Sequence, residues 1–160
     1  LDSVVPWELF RLVSNDRHVL DAGTGAGFPG IPLALVLPDV QFTLSESIQK
    51  KARFVEEAVR ELSIPNITVT TQRAETFLLS TKTGIITARA VAPVAKAVDL
   101  FGPALRQGAR ALLYKGPDVQ SELETAAANL RKRRLTASVI KRYELPDDLG
   151  SRSILELCAF

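Results

Sequence analysis

Three glycines alternate with other residues in segment 19–30, which reads Val-Leu-Asp-Ala-Gly-Thr-Gly-Ala-Gly-Phe-Pro-Gly. Because glycine has no Cβ, Gly23, Gly25 and Gly27 let the chain turn sharply and let a ligand approach the main chain closely. The apolar run at 19–22 that precedes them is typical of a strand that ends in a binding loop. The segment therefore predicts a loop that binds a nucleotide-like cofactor.

The spacing of these glycines distinguishes between classes of nucleotide-binding loop. A dinucleotide fingerprint, G-x-G-x-x-G/A, requires a small residue where Phe28 stands. A phosphate-binding loop, G-x-x-x-x-G-K-[ST], starting at Gly25 would need lysine where Ile31 stands. The acidic residue and alternating glycines from Asp21 to Gly27 instead resemble the first motif of S-adenosylmethionine-dependent methyltransferases. The alternative is a glycine-rich turn that binds no ligand.

Two carboxylates follow predicted strands, where a doubly wound sheet binds its ligand. Glu46 comes after the strand at 41–45 and could accept hydrogen bonds from both hydroxyls of a ribose. The alternative is that Glu46 caps the helix that follows. Ala74 and Glu75 come after the strand at 67–71, where the main chain could hold the edge of an adenine. The alternative for Glu75 is a favourable negative charge at the start of a helix.

Two cations occupy the corresponding positions of the next two strands. Arg89 follows the strand at 85–88, and Lys115 ends the strand at 111–115. Each could position the cofactor or the substrate, and a solvated basic residue is the alternative for each. We assign no residue as a general acid or base. No spacing typical of metal ligands occurs, so no metal site is expected.

These loops require a scaffold that brings the ends of the strands to one edge. Apolar strand-like segments alternate with amphipathic helix-like segments along the chain, which predicts an α/β fold with a mostly parallel sheet covered by helices. The last two predicted strands, 137–143 and 153–160, flank a turn at 146–150 and predict an antiparallel pair near the C-terminus. The predicted helices include 48–62 and 121–134.

Length and composition are those of one soluble globular domain: 160 residues, of which 46% are hydrophobic and 24% charged. A net charge of +2 does not by itself indicate a nucleic-acid-binding protein. Phosphate contacts would have to come from basic clusters at 50–53, 131–134 and 141–142, and the alternative is that these are solvated helix faces. The single Cys158 excludes a disulfide framework. Without a membrane-length apolar run or a leader, the chain is expected to be cytoplasmic, with no membrane partner.

Several segments together resemble the family of bacterial small-subunit (16S) ribosomal RNA guanine-N7 methyltransferases, also called glucose-inhibited division protein B. The matching segments are Leu1-Asp2-Ser3, 21–34, 50–54, Arg73-Ala74-Glu75, 89–93 and Lys115-Gly116. The likeness covers almost the whole chain, and Gly-Phe-Pro-Gly-Ile-Pro at 27–32 is more specific than the general glycine motif. The resemblance implies a Rossmann-like class I fold with helices on both faces of the sheet, and S-adenosyl-L-methionine as cofactor. It also implies cofactor contacts at Gly23, Phe28, Ala74, Glu75 and Arg89.

The resemblance further implies methyl transfer to N7 of a guanine in 16S ribosomal RNA. Naked RNA or the small ribosomal subunit would be the partner, and no DNA is expected. The sequence departs from the family in two places. Glu46 stands where the family usually has aspartate, which keeps the carboxylate but lengthens its reach. The family's N-terminal helical segment does not precede the Leu-Asp-Ser match, so we expect residues 1–160 to form a single methyltransferase domain without it.

The residues after the fourth predicted strand, and the cysteine in the last one, indicate which atom accepts the methyl group. Segment 89–93 lacks the Asn/Asp-Pro-Pro-aromatic turn that usually serves exocyclic base nitrogens. Methylation at pyrimidine C5 needs a cysteine nucleophile, whereas Cys158 lies within the last predicted strand. Guanine N7 has no proton to lose, so that reaction needs alignment and no base. Two alternatives remain: a methyltransferase of the same fold acting on a small molecule or protein, and a non-catalytic RNA-binding module.

Overall fold

The computed structural model describes residues 1–13 and 18–160. Within these residues, seven strands form one sheet. The strands are β1 (His18–Ala22), β2 (Gln41–Ser45), β3 (Ile67–Thr70), β4 (Ile85–Arg89), β5 (Arg110–Lys115), β6 (Leu135–Glu144) and β7 (Ser151–Ala159). The helices are α1 (Trp7–Val13), α2 (Gly30–Val36), α3 (Gln49–Glu61), α4 (Ala74–Ser80), α5 (Val94–Arg106) and α6 (Val119–Arg133).

The strand order is β3-β2-β1-β4-β5-β7-β6. Neighbouring strands from β3 to β5 pair in parallel, and β7 is antiparallel to both β5 and β6. The predicted α/β sheet, mostly parallel with an antiparallel strand near the C-terminus, is confirmed. The strand order reverses between β1 and β4, and a doubly wound sheet binds its ligand at the carboxyl ends of the strands beside such a reversal.

The main difference from the sequence prediction lies at the junction of α6 and β6. The prediction started the strand at residue 137, whereas β6 starts at Leu135. Arg134 adopts a left-handed conformation with φ of 56° and ends α6, and its N–H donates to the carbonyl oxygens of Leu130 and Arg131. A single residue therefore turns the chain from helix to strand, and no separate loop is needed.

Helices cover both faces of the sheet, each over its own hydrophobic core. Helices α1, α2 and α3 cover one face, where Phe10, Leu33 and Val55 are buried. Helices α4, α5 and α6 cover the other, where Phe101 and Ala126 are buried. None of the helices in the described part of the chain is long and apolar enough to cross a membrane.

Asn66 fixes the connection from α2 to β2 by a network that the sequence pattern did not indicate. Its side chain is buried, and Nδ2 lies 2.9 to 3.1 Å from the carbonyl oxygens of Ala34, Leu37 and Val40. Carbonyl groups at the end of a helix have no partner within the helix. The amide of Asn66 therefore satisfies the end of α2 and fixes the path by which the chain enters β2.

Candidate active site

Two adjoining cavities open at the edge where the parallel strands end. The larger has a volume of about 690 Å³ and lies between the glycine loop and the residues after β4 and β5. The smaller has a volume of about 260 Å³ and lies beside the ends of β2 and β3. Gly23 and Val91 line both cavities, so the two spaces meet at these residues.

The structure brings most of the candidate residues together around these cavities. Those that line the larger cavity are Gly23, Gly25, Phe28, Arg89 and Lys115. Those that line the smaller one are Gly23, Glu46, Ala74 and Glu75. Gly27 is the exception, because it is buried and lines neither cavity. Contacts between these residues and a cofactor remain a prediction.

Two glycines of the loop are required for different reasons. Gly23 has a φ of 66°, and a Cβ at this position would lie 3.0 Å from Cγ2 of Val91, so glycine keeps the junction of the two cavities open. Gly27 has a φ of 95°, and a Cβ there would overlap the side chain of Ile31. Gly27 therefore allows the loop to pack against the start of α2, while Gly23 lies at the cavity surface.

The carboxylate of Asp21 lies beneath the glycine loop and holds it to α2. The side chain is fully buried, and Oδ2 accepts hydrogen bonds from Oγ1 of Thr24 at 2.6 Å and from the N–H of Gly30 at 2.8 Å. The other oxygen, Oδ1, is buried and has no hydrogen-bond partner. Burial raises the pKa of Asp21 from an ordinary value of 3.8 to about 6, although both hydrogen bonds and the charge of Arg89 act to lower it.

The raised pKa of Asp21 predicts a pH dependence of stability. Between the unfolded and folded pKa values the native state binds more protons, so this carboxyl lowers the free energy of unfolding as pH rises from about 4 to about 6. The difference of roughly two pKa units corresponds to about 3 kcal/mol. We expect the free energy of unfolding of wild type, measured with urea and taken relative to Asp21→Asn, to fall by most of this amount between about pH 4 and about pH 7. A difference that stays constant with pH would contradict the assignment.

Glu46 contacts both the glycine loop and α3. Its side chain is buried, Oε2 accepts from the N–H of Gly25 at 3.1 Å, and Oε1 accepts from the N–H of Ile48, the residue that caps α3, at 2.9 Å. The capping contact considered from sequence is therefore present. Glu46 also lines the smaller cavity, and its proposed contact with a ribose stays a prediction.

Ala74 and Glu75 form the first turn of α4 at the rim of the smaller cavity. Ala74 is buried, and Glu75 carries the acidic charge at the start of the helix, as the alternative from sequence proposed. The guanidinium of Arg73 lies 3.9 Å from the Glu75 carboxylate. Since both side chains are exposed, this ion pair adds little to stability.

Arg89 contacts two groups in the larger cavity. Its guanidinium carbon lies 5.4 Å from the centre of the Phe28 ring, and Nη1 lies 3.6 Å from Oδ2 of Asp2. Nε of Arg152 approaches the same carboxylate oxygen at 3.9 Å. Neither Asp2 nor Arg152 was identified as a site residue from sequence. The Leu-Asp-Ser match pointed to the segment that contains Asp2, but no spacing assigned its side chain a role.

Lys115 is buried, so the alternative of a solvated basic residue is wrong at this position. Its side chain is 9% exposed, and Nζ donates to the carbonyl oxygen of Ala92 at 2.8 Å and to Oε2 of Glu122 at 2.7 Å. The same Glu122 oxygen accepts from the N–H of Val94 at 2.8 Å. The ammonium therefore links β5 to the starts of α5 and α6, and its contact with RNA stays a prediction.

The basic clusters lie at different edges of the sheet. Lys50 and Arg53 are on the first two turns of α3, the helix that begins at the edge of the sheet where β2 ends, and neither lines the two cavities. The cluster at 131–134 ends α6, which starts after β5 and runs back, so this cluster lies at the opposite edge. Within the described ranges, no three His, Cys, Asp or Glu side chains are arranged to hold a metal ion.

The chain is similar to known proteins both in sequence and in fold. The family model for rRNA small subunit methyltransferase G (GidB) matches residues 1–149. Ribosomal RNA small subunit methyltransferase G of Solibacter usitatus is 58% identical over 156 residues, covering 98% of this chain and 73% of the relative. The Carboxydothermus hydrogenoformans protein of the same name is 36% identical, covering 88% of this chain and 62% of that one.

Solved structures give the same fold at low sequence identity. Magnesium protoporphyrin IX methyltransferase from Synechocystis, solved with bound S-adenosylmethionine, aligns with a TM-score of 0.68 and 20% identity over 99% of this chain and 77% of its own. An rRNA methylase from Streptococcus thermophilus aligns with a TM-score of 0.64 and 15% identity over 96% of this chain and 93% of its own. The match to the family model and the 58% identity to the Solibacter usitatus protein show that this chain belongs to the rRNA small subunit methyltransferase G family of S-adenosylmethionine-dependent methyltransferases.

Proposed function

We propose that this protein transfers the methyl group of S-adenosylmethionine to N7 of a guanine in 16S ribosomal RNA, in the cytoplasm. The observation that carries the proposal is the pair of cavities that meet at Gly23 and Val91. The smaller cavity is lined by the buried carboxylate of Glu46, beside the glycine loop. The larger cavity is lined by the cationic side chains of Arg89, Lys115 and Arg152. Such a pair suits an adenosine group on one side and a methyl acceptor on the other.

The residues of the smaller cavity fit the adenosine part of the cofactor. The Glu46 carboxylate accepts two backbone N–H groups, while a carboxylate has capacity for about four hydrogen bonds. The remaining capacity would serve the two ribose hydroxyls. The main chain at Ala74 and Glu75 would hold the adenine edge, and Gly23 would allow the ligand to pass from one cavity to the other.

The larger cavity is suited to alignment of the reacting groups. The bound cofactor supplies an electrophilic methyl group on a sulfonium centre. Guanine N7 offers a lone pair in the plane of the base and carries no proton, so the protein needs no general base. The two carboxylates on the cavity wall, Asp2 and Glu122, are each engaged by cationic side chains. Alignment alone can contribute on the order of 7 to 11 kcal/mol to a rate enhancement.

Incubation with radiolabelled S-adenosylmethionine tests the proposed reaction. The acceptors are small ribosomal subunits and naked ribosomal RNA from a strain that lacks the native modification, and the product is mapped as N7-methylguanine. We expect label at a guanine in one of these acceptors. Cofactor binding without label in RNA would favour a small-molecule or protein substrate. RNA binding without turnover on any acceptor would favour a non-catalytic binding module.

Replacing Glu46 with alanine is expected to weaken S-adenosylmethionine binding by about 1 to 3 kcal/mol, because a charge-assisted hydrogen bond to the ribose is lost. Isothermal titration calorimetry measures the change. Glu57→Ala, an exposed glutamate on α3, is the matched control and should bind normally.

Because Glu46 also contacts the start of α3, Glu46→Ala could weaken cofactor binding by disturbing that helix. A second ligand separates this effect from the loss of a ribose contact. S-adenosylhomocysteine and its 2′,3′-dideoxy analogue differ only in the ribose hydroxyls. If Glu46 holds the ribose, Glu46→Ala loses affinity for the first ligand and little for the second. An equal loss of affinity for both ligands would show that Glu46 acts only through its contact with the start of α3.

A further inference from the structure

One carboxylate on the wall of the larger cavity is not used by the proposed reaction. Oδ1 of Asp2 accepts a hydrogen bond from the Tyr143 hydroxyl at 2.8 Å. The guanidinium groups of Arg89 and Arg152 approach Oδ2 at 3.6 and 3.9 Å, which is too long for hydrogen bonds. Because a carboxylate has capacity for about four hydrogen bonds, Asp2 retains acceptor capacity toward the cavity.

The segment that carries Asp2 is fixed to the sheet. Ser3 is buried, and its carbonyl oxygen accepts a hydrogen bond from the Tyr114 hydroxyl at 2.7 Å. The carbonyl oxygen of Val5 lies 3.4 Å from Nζ of Lys141. Burial, followed by the hydrogen bond to Asp2, raises the pKa of Tyr143, so its phenol remains a neutral donor. The Asp2 carboxylate is therefore a preorganised part of the cavity wall.

The other carboxylate that lines this cavity, in the described part of the chain, has less capacity. Oε2 of Glu122 already accepts hydrogen bonds from Lys115 and from the N–H of Val94. Of the two carboxylates, Asp2 therefore keeps the greater acceptor capacity for a base that enters the cavity with hydrogen-bond donors. Guanine presents two adjacent donors, N1–H and the N2 amino group, whereas adenine presents an acceptor at N1.

We propose that Asp2 is a specificity-determining residue that accepts hydrogen bonds from N1–H and the N2 amino group of the target guanine. This inference rests on the proposed function. The Asp2 carboxylate would affect the reaction rate as well as the choice of base, because methylation at N7 places a positive charge on the purine. A fixed carboxylate at the opposite edge of the base interacts more strongly with that charge as it develops. Such an interaction favours the transition state over the ground state and raises kcat.

The rival explanation is that Asp2 only holds Arg89 and Arg152 in position. An RNA that lacks the N2 amino group of the target guanine distinguishes recognition of the base by Asp2 from positioning of the two arginines. Small-subunit RNA is prepared with guanosine or inosine at the mapped target position, naked or reconstituted into subunits, in whichever form wild type methylates. Inosine lacks only the N2 amino group. We expect wild type to prefer guanosine by roughly 10- to 100-fold in kcat/KM, as for a hydrogen bond to a charged group.

The variant Asp2→Asn should lose this preference, so that the two RNAs react within about threefold of one another, with most of the loss on guanosine RNA appearing in kcat. Asp2→Glu keeps the carboxylate and should recover part of the preference. Asp39→Asn is the matched control, because Asp39 precedes β2 at the opposite edge of the sheet. Calorimetry with S-adenosylmethionine checks that Asp2→Asn remains folded.

The outcomes distinguish this inference from the proposed function. If wild type methylates no guanine N7 in RNA, both fail. If wild type methylates guanosine and inosine RNA equally, the inference fails and the function stands. If Asp2→Asn slows both RNAs by the same factor and keeps the preference, Asp2 only positions the two arginines, and the inference is overturned.

Discussion

Replacement of Gly30 by alanine is expected to lower the free energy of unfolding by about 3 to 5 kcal/mol. A Cβ on Gly30 would lie 2.7 Å from Oδ2 of Asp21 and 2.8 Å from Cδ1 of Leu44. Both neighbours are fully buried and leave no space for a shift. Overpacking costs about 1 to 3 kcal/mol, and loss of the Gly30 N–H bond to a buried charged oxygen adds a comparable amount. Urea unfolding at neutral pH measures the difference.

Gly102→Ala is the matched control for this substitution. Gly102 lies inside α5, and a Cβ there would meet side-chain atoms of Arg106 and Arg133 at 3.5 to 3.7 Å, which is ordinary contact distance. Alanine is favoured over glycine within a helix by roughly 0.5 to 1 kcal/mol, so we expect equal or slightly higher stability. A Gly30→Ala protein as stable as wild type would show that Asp21 and Leu44 give way without cost.

The sequence predicted the scaffold because the scaffold depends on local patterns. Each inner strand is an apolar run, and the helical segments between them show one apolar face. Parallel strands joined by helices then place their carboxyl ends at one edge, which is why Glu46, Ala74 and Arg89 converge around the two cavities. The glycine loop was predicted from the spacing of its glycines, and the structure gives the physical reason at Gly23, whose φ of 66° glycine adopts without strain.

Contacts between distant segments could not be predicted from one sequence. Asp2 and Tyr143 are 141 positions apart, and no local spacing relates them. Lys115 and Glu122 are only seven positions apart, but their contact depends on how α6 leaves the end of β5. The sequence identified cations at these positions without their partners. The partners show that Lys115 links β5 to α5 and α6 at the cavity wall, while its contact with RNA stays a prediction, and they place Asp2 beside Arg89.

Substitution of Arg89 by alanine is expected to lower kcat/KM for RNA methylation by about 10²- to 10³-fold, or about 3 to 4 kcal/mol. The guanidinium lies in the larger cavity, over the Phe28 ring and beside Asp2, so it offers planar donors in a fixed position. Arg89→Lys keeps the charge but loses the planar group, so we expect a large part of the loss to remain. Arg106→Ala, an exposed arginine at the far end of α5 that belongs to none of the basic clusters, is the control and should retain activity.

Calorimetry with S-adenosylmethionine then shows whether Arg89 contacts the cofactor or the target base. Weaker cofactor binding places Arg89 at the methionine end, while unchanged binding with a lower kcat places it at the target base. In either case Asp2 keeps its hydrogen bond from Tyr143 and its neighbour Arg152, so the preference of Arg89→Ala for guanosine over inosine should persist. Activity of Arg89→Ala within threefold of wild type would exclude both roles. Loss of the guanosine preference in this variant would mean that Arg89 and Asp2 act as one unit, because effects of independent residues add and those of coupled residues do not.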